Sequence, residues 1–135
     1  MISEQKVAFF IDDDSDFLTI LSSSLQHAQF AIKVHQAVNG YRTIDEIIKT
    51  KPDVLFLDFD LPKANAAQIL PILRSIHGFA NLPVYLVTGY SHDRIASILE
   101  DLDYVEYDGI IYKDGSLRQN ILRILDQEAP AVSAN

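Results

Sequence analysis

The stretch Val54-Leu55-Phe56-Leu57-Asp58 decides the fold. Four consecutive large apolar side chains leave no polar face, so it reads as a strand buried on both sides, the kind found in parallel sheets covered by helices. Lys51-Pro52-Asp53 breaks the chain before it, and the run stops at a carboxylate. Upstream, Val7-Ala8-Phe9-Phe10-Ile11 repeats the pattern and stops at Asp12-Asp13-Asp14. Ala31-Ile32-Lys33-Val34-His35 alternates like a strand near a sheet edge. Leu82-Pro83-Val84-Tyr85-Leu86-Val87-Thr88 and Ile110-Ile111-Tyr112-Lys113 supply a fourth and a fifth strand.

Helical periodicity fills the intervals. Phe17, Ile20, Leu21, Leu25 and Ala28 predict a first helix over residues 15–28, with Asp14 or Ser15 as N-cap. Tyr41, Ile44, Ile47 and Ile48 follow the Asn39-Gly40 break as a second helix. Ala67, Ile69, Leu70, Leu73 and Ile76 outline a third, in which Pro71 removes one backbone hydrogen bond and predicts a kink or a late start. Ile95, Ile98, Leu99 and Leu102 form a fourth stripe, and Leu117, Ile121, Ile124 and Leu125 a fifth. Five βα units joined by right-handed crossovers predict an α/β fold: a doubly wound, five-stranded parallel sheet of the (βα)5 flavodoxin-like kind, strand order 2-1-3-4-5. Residues 1–128 read as one domain and residues 129–135 as a tail or the start of a linker.

Composition narrows the function. Eleven Lys and Arg against nineteen Asp and Glu give a net charge of -8, which repels a nucleic-acid backbone and argues against direct binding of nucleic acid. The absence of cysteine removes disulfides and thiolate chemistry and agrees with a cytoplasmic location. No apolar run approaches the roughly 18 residues of a membrane span, so no membrane partner is expected. His27, His35, His77 and His92 are dispersed without ligand spacing and are expected on the surface.

Ligands of such sheets bind beyond the carboxyl ends of the strands, where this sequence places Asp12, Asp13, Asp58, Thr88 and Lys113. Adjacent strands lie about 4.8 Å apart, so the three carboxylates crowd into one pocket and must either protonate or take up a cation. Hard oxygen ligands in an open site suit Mg2+, or Mn2+, better than zinc. With a divalent ion shielding the incoming charge, Asp58 is a nucleophile toward phosphorus, and the Lys113 ammonium and Thr88 hydroxyl steady the phosphoryl oxygens. A phosphoryl load near Thr88 would pull that hydroxyl and the following loop toward it, which makes a switch.

The segments Phe9-Phe10-Ile11-Asp12-Asp13-Asp14-Ser15-Asp16, Pro52-Asp53-Val54-Leu55-Phe56-Leu57-Asp58-Phe59-Asp60-Leu61-Pro62, Pro83-Val84-Tyr85-Leu86-Val87-Thr88-Gly89 and Tyr112-Lys113-Asp114 resemble the motifs of bacterial two-component response-regulator receiver domains. The resemblance covers about residues 6–127. It implies Asp58 as phosphoacceptor, with Asp12 and Asp13 holding the metal beside it and the backbone carbonyl of Asp60 as a further metal ligand. It also implies a phosphohistidine donor on a histidine kinase or phosphotransfer protein, and a downstream protein target or effector domain. The chain is then a phosphorelay signalling domain and not an enzyme acting on other substrates. Helix 4, strand 5 and helix 5 carry the switched surface, with homodimerisation through it as a further option.

Several positions depart from the family pattern. Asn65-Ala66 replaces the usual Asp-Gly, Asp114 replaces the proline after the lysine, and Ile110 occupies the usual aromatic switch position. Tyr112 is the nearest aromatic and is expected on the opposite face of the strand. The Thr88–Lys113 interval is extended and acidic, with Glu100, Asp101, Asp103, Glu106 and Asp108 interleaved with Tyr104 and Tyr107, and reads as an altered partner surface. A degenerate receiver that only binds protein is the alternative. Less favoured is a haloacid-dehalogenase-like phosphatase, in which Asp58 attacks and Asp60 protonates the leaving group.

Overall fold

The computed structural model describes residues 5–100 and 105–129. Its main sheet contains β1 (Lys6–Asp12), β2 (Phe30–Gln36), β3 (Val54–Asp58), β4 (Val84–Thr88) and β5 (Gly109–Tyr112), all parallel, in the order β2-β1-β3-β4-β5. The helices are α1 (Ser15–Ser24), α2 (Thr43–Thr50), α3 (Ala66–Arg74), α4 (His92–Glu100) and α5 (Leu117–Glu128). The predicted architecture and strand order are those observed.

Strand alternation divides the core. Phe9, Ile11, Leu55, Leu57, Val84 and Leu86 face α2, α3 and α4 through Ile47, Ile69, Leu70, Leu73 and Ile95. Ala8, Phe10, Val54, Phe56, Val87 and Ile111 face α1 and α5 through Leu18, Leu21, Ile121 and Leu125. Carried to the strand ends, this period of two assigns Asp12, Asp58 and Lys113 to the α1/α5 side and Thr88 to the other.

Helix α1 stops at Ser24 and not at residue 28. Leu25 turns extended (φ -103°, ψ 128°) and closes the last helical bond onto the Leu21 carbonyl. The hydroxyls of Ser22, Ser23 and Ser24 donate back to the carbonyls of Thr19 and Leu21, a competition that weakens helices, and Arg118 Nε caps the free Ser24 carbonyl at 2.9 Å. Beyond this end His27 leaves the surface. Its Nδ1 accepts from the Gln29 amide at 3.1 Å, so Nε2 carries the proton toward Asp126 Oδ1 at 2.8 Å, and the ring stands edge-on to Phe30. A loop histidine is thereby tied to α5. His35 is also half-buried, tilted against Phe9, whereas His77 and His92 are exposed.

Pro71 neither delays α3 nor ends it. Asn65 accepts from the Gln68 amide at 3.1 Å while Gln68 accepts from the Asn65 amide at 2.9 Å, and this reciprocal cap starts the helix at Ala66. The Asn65-Ala66 departure therefore supplies a cap of its own.

A small hairpin, Asp60–Leu61 paired with Ala64–Asn65, escaped the sequence reading. Lys63 turns it with a φ of 73°. The loop before α2 packs against the hairpin: the Gly40 amide donates to the Pro62 carbonyl at 2.6 Å, and a Cβ on Gly40 would stand 2.6 Å from the Ala64 carbonyl oxygen. Both partners are backbone and cannot rotate away. Gly40→Ala is expected to lower unfolding stability by about 1–3 kcal/mol, the range for overpacking a filled interior. Chemical denaturation measures it, and an unchanged midpoint would show that the two loops separate freely.

Candidate functional site

Each site residue is delivered by the end of a strand or the turn after it. Asp12 ends β1 and Asp58 ends β3, and because these strands are neighbours their carboxylates meet, at 2% and 6% exposure. Asp13 joins from the loop: one oxygen from each of Asp12, Asp13 and Asp58 lies within 4.8 Å of the others. The Asp14 side chain accepts from the Asp16 and Phe17 amides and caps α1, while Asp12 Oδ1 accepts from the Asp14 amide at 3.0 Å. Asp14 is thus structural, and Asp12 is held by the turn that starts α1.

Lys113 follows β5. Its Nζ stands 2.7 Å from Asp12 Oδ2 and 3.4 Å from Asp58 Oδ1, and its amide donates to the Thr88 carbonyl at 2.8 Å. Burial works against the ammonium, but Asp12 and Asp58 together outweigh it and hold its pKa above the usual lysine value. One cation does not neutralise three acids. Burial first, then the charge of Asp12, push Asp58 up from the usual 3.8 to about 7, against the pull of Lys113. Asp13 is raised as well, by burial and by its hydrogen bond to Asp12.

The donor set fits a hard divalent cation. Among the described residues, none donates an aligned hydrogen bond to the buried Asp12 Oδ2, which has only the charge of the ammonium beside it, and the carboxylates resist ionising together. The exposed Asp60 side chain is not part of the three-carboxylate cluster; it lies beside Tyr90 and raises the pKa of that phenol. Any part for Asp60 in holding a metal falls to its backbone carbonyl.

Thr88 is buried at the end of β4, with its Oγ1 accepting from the Tyr90 amide at 3.0 Å. Tyr90 stands edge-on to Phe59, and the Arg94 guanidinium lies 4.7 Å above its ring. Tyr112 requires a correction: two residues along a strand return to the same face, so Tyr112 shares the side of Ile110, and both pack on the core facing α2, α3 and α4. Tyr112 pairs in register with Thr88, and its ring stacks on His92 with centroids 3.7 Å apart and planes 10° apart. The sequence reading missed Phe17 as a site neighbour, taking it only for a core residue, yet its ring lies 4.6 Å from Lys113 Nζ.

The acidic segment after α4 is in part structural. Asp108 accepts from the Val84 amide at 2.7 Å and pairs with Arg74, which also donates to the carbonyls of Phe79, Leu82 and Glu106. Asp101, Leu102, Asp103 and Tyr104 lie outside the described residues.

The family model of the response regulator receiver domain matches residues 8–126. The chain belongs to that family. This removes the haloacid-dehalogenase-like reading of residues 8–126. The receiver is 29% identical over 107 residues to a protein-glutamate methylesterase/protein-glutamine glutaminase of Vibrio vulnificus, covering 79% of this chain and 31% of that protein. It is 29% identical over 90 residues to the transcriptional regulatory protein PrrA of Mycobacterium leprae, covering 65% and 37%. The chain thus spans about a third of the length of these curated relatives. The chemotaxis response regulator CheY4 of Vibrio cholerae superposes with a TM-score of 0.73 at 15% identity, covering 93% of this chain and 99% of the other. Among the described residues no helix is long and apolar enough to cross a membrane.

The raised Asp58 pKa fixes the sign of a pH effect. Between the usual 3.8 and about 7 the folded protein keeps a proton that the unfolded chain has lost, so stability falls as pH rises through that window. In chelator, the melting temperature should drop from pH 4 to pH 7 and then level off. Asp58→Asn should flatten that drop, and magnesium should raise the melting temperature more at pH 7.5 than at pH 5. Equal magnesium stabilisation at both pH values would contradict this electrostatic account.

Proposed function

We propose that Asp58 accepts a phosphoryl group from a phosphohistidine on a histidine kinase or phosphotransfer protein, with Mg2+ (or Mn2+) in the acidic pocket. The observation that carries this is the meeting of Asp12, Asp13 and Asp58 within 4.8 Å with Lys113 at ion-pair distance. Asp12, Asp13, the second oxygen of Asp58 and the Asp60 carbonyl would hold the metal. When bound, it neutralises the carboxylates and polarises a phosphoryl oxygen. One Asp58 oxygen attacks phosphorus, the bond from phosphorus to the donor imidazole breaks, and the imidazole nitrogen leaves with the electron pair. Lys113 turns from carboxylate to phosphoryl oxygen, and Thr88 donates its hydroxyl to another.

The same contacts supply the switch. Thr88 Oγ1 holds the Tyr90 amide at rest, and turning toward the phosphoryl group releases it. The freed loop leads into α4, whose single buried residue is Ile95 and whose first turn leans on Tyr112 through His92. The surface of α4, β5 and α5 then changes toward an effector domain or protein target, or toward a second copy of the chain. The relatives are a methylesterase/glutaminase and a transcriptional regulatory protein of which about a third is matched, so the output proposed for this chain is only a protein contact of this surface.

With magnesium and acetyl phosphate or phosphoramidate, the parent should take label at Asp58 and Asp58→Asn should take none. Unlabelled parent protein would favour the degenerate receiver. His92→Ala should be labelled at the parent's rate, yet lose most of the phosphorylation-dependent amide shifts in α4 read by NMR. Full shifts in that variant would remove the stack from the route.

A further inference from the structure

We infer that Phe17 is a positioning residue for Lys113, holding the ammonium over the acidic pocket through the face of its ring. This rests on the proposed phosphoryl chemistry for its kinetic consequence and on geometry alone for its structural one. The Lys113 side chain is a four-carbon stem, and a lysine of that kind ordinarily points its charge into water. Here three groups surround Nζ: Asp12 Oδ2 at 2.7 Å, Asp58 Oδ1 at 3.4 Å and the Phe17 ring at 4.6 Å. The two carboxylates pull from the pocket side. The ring lies within cation–π range and, as part of α1, is fixed by the helix that Asp14 caps.

The position calls for an aromatic ring more than for bulk. Phe17 is half-buried and packs against the core between the sheet, α1 and α5, work that leucine does as well. Leucine has no quadrupole to offer a cation. When Asp58 becomes esterified, Lys113 must exchange a carboxylate oxygen for a phosphoryl oxygen while the Asp12 contact and the ring stay in place. The ring is the uncharged member of the cage, so it steadies the ammonium without competing with the phosphoryl group for it.

The experiment compares Phe17→Leu, Phe17→Tyr and a series of phenylalanines at position 17 bearing one, two and three ring fluorines, which thin the ring's electron density at nearly constant size. Two readouts are taken. NMR of the resting protein reads the ring-current shift on the Lys113 ε-methylene protons, which should be upfield in the parent and in Phe17→Tyr and should vanish in Phe17→Leu. The rate of labelling by phosphoramidate with magnesium should fall by about fivefold in Phe17→Leu, the loss of one cation–π contact, and stepwise along the fluorinated series. A merely structural role would leave the fluorinated series level. Lys113 shifts that do not differ between parent and Phe17→Leu would overturn the inference whether or not Asp58 takes label, and so would a flat rate series in a protein that labels. A parent with the upfield shifts but no label would instead defeat the phosphoryl reading and leave the Phe17–Lys113 geometry established.

Discussion

Two carboxylates on adjacent strands of a buried sheet repel one another, and this repulsion organises the site. Asp12 and Asp58 are brought together because β1 and β3 pair in register through four residues with no polar side chain between them. The apolar run that makes β3 a central strand also removes the water that would screen its terminal acid. Core and site are therefore not separate achievements of the sequence. The packing of Phe10 on Phe56, ring centroids 4.4 Å apart, sits directly beneath the charged rim. What holds the acids in place is hydrophobic burial, and the same burial is the largest cause of the raised pKa of Asp58.

Lys113 offsets only part of that repulsion. It comes from the far strand of the sheet and reaches across β4 to meet Asp12 and Asp58. Such a span needs the stem of the lysine to be directed, and its surroundings provide direction from several sides: the Thr88 carbonyl on its amide, two carboxylates on its head and the Phe17 ring against its charge. None of these partners is a neighbour in sequence. A pocket assembled from four strands and one helix keeps its geometry only while the whole sheet is folded.

Architecture was legible in the sequence because it follows from patterns a few residues long. Continuous apolar runs named the strands, acids at their ends named the pocket, and the crossover rule ordered them. The features that were not legible depend on contacts between distant segments or on side-chain capacity. Gly40 reads as punctuation beside Asn39, and only the approach of the Ala64 carbonyl shows why a Cβ is excluded there. His27 reads as a surface histidine until Asp126 meets it from α5. Asp108 reads as one acid in an acidic run, yet it is committed to the Val84 amide and Arg74. The misplacement of Tyr112 is different in kind, since the period of two in a strand already returns it to the face of Ile110. Its stacking partner His92 was beyond reach, because no pattern within the chain links the two.

That correction changes how information would cross the molecule. Alternation puts Asp12, Asp58 and Lys113 on the side of α1 and α5, while Thr88, Ile110 and Tyr112 belong to the side of α4. A charge placed on Asp58 thus acts on one side of the sheet, whereas the helix with the fewest buried anchors lies on the other. Only the strand ends connect them. Thr88 is bonded through its carbonyl to the Lys113 amide and through its hydroxyl oxygen to the Tyr90 amide, so a single residue touches both sides of the rim. Tyr112, paired with Thr88 and adjacent to Lys113, is the next residue that any displacement there must move. Ile110 lies deeper, beside Leu86, where a branched aliphatic side chain fills the core without reaching the rim. An aromatic ring two residues nearer the strand end therefore stands next to the charge while staying partly buried as Ile110 is, and the His92 imidazole stacks on one of its faces.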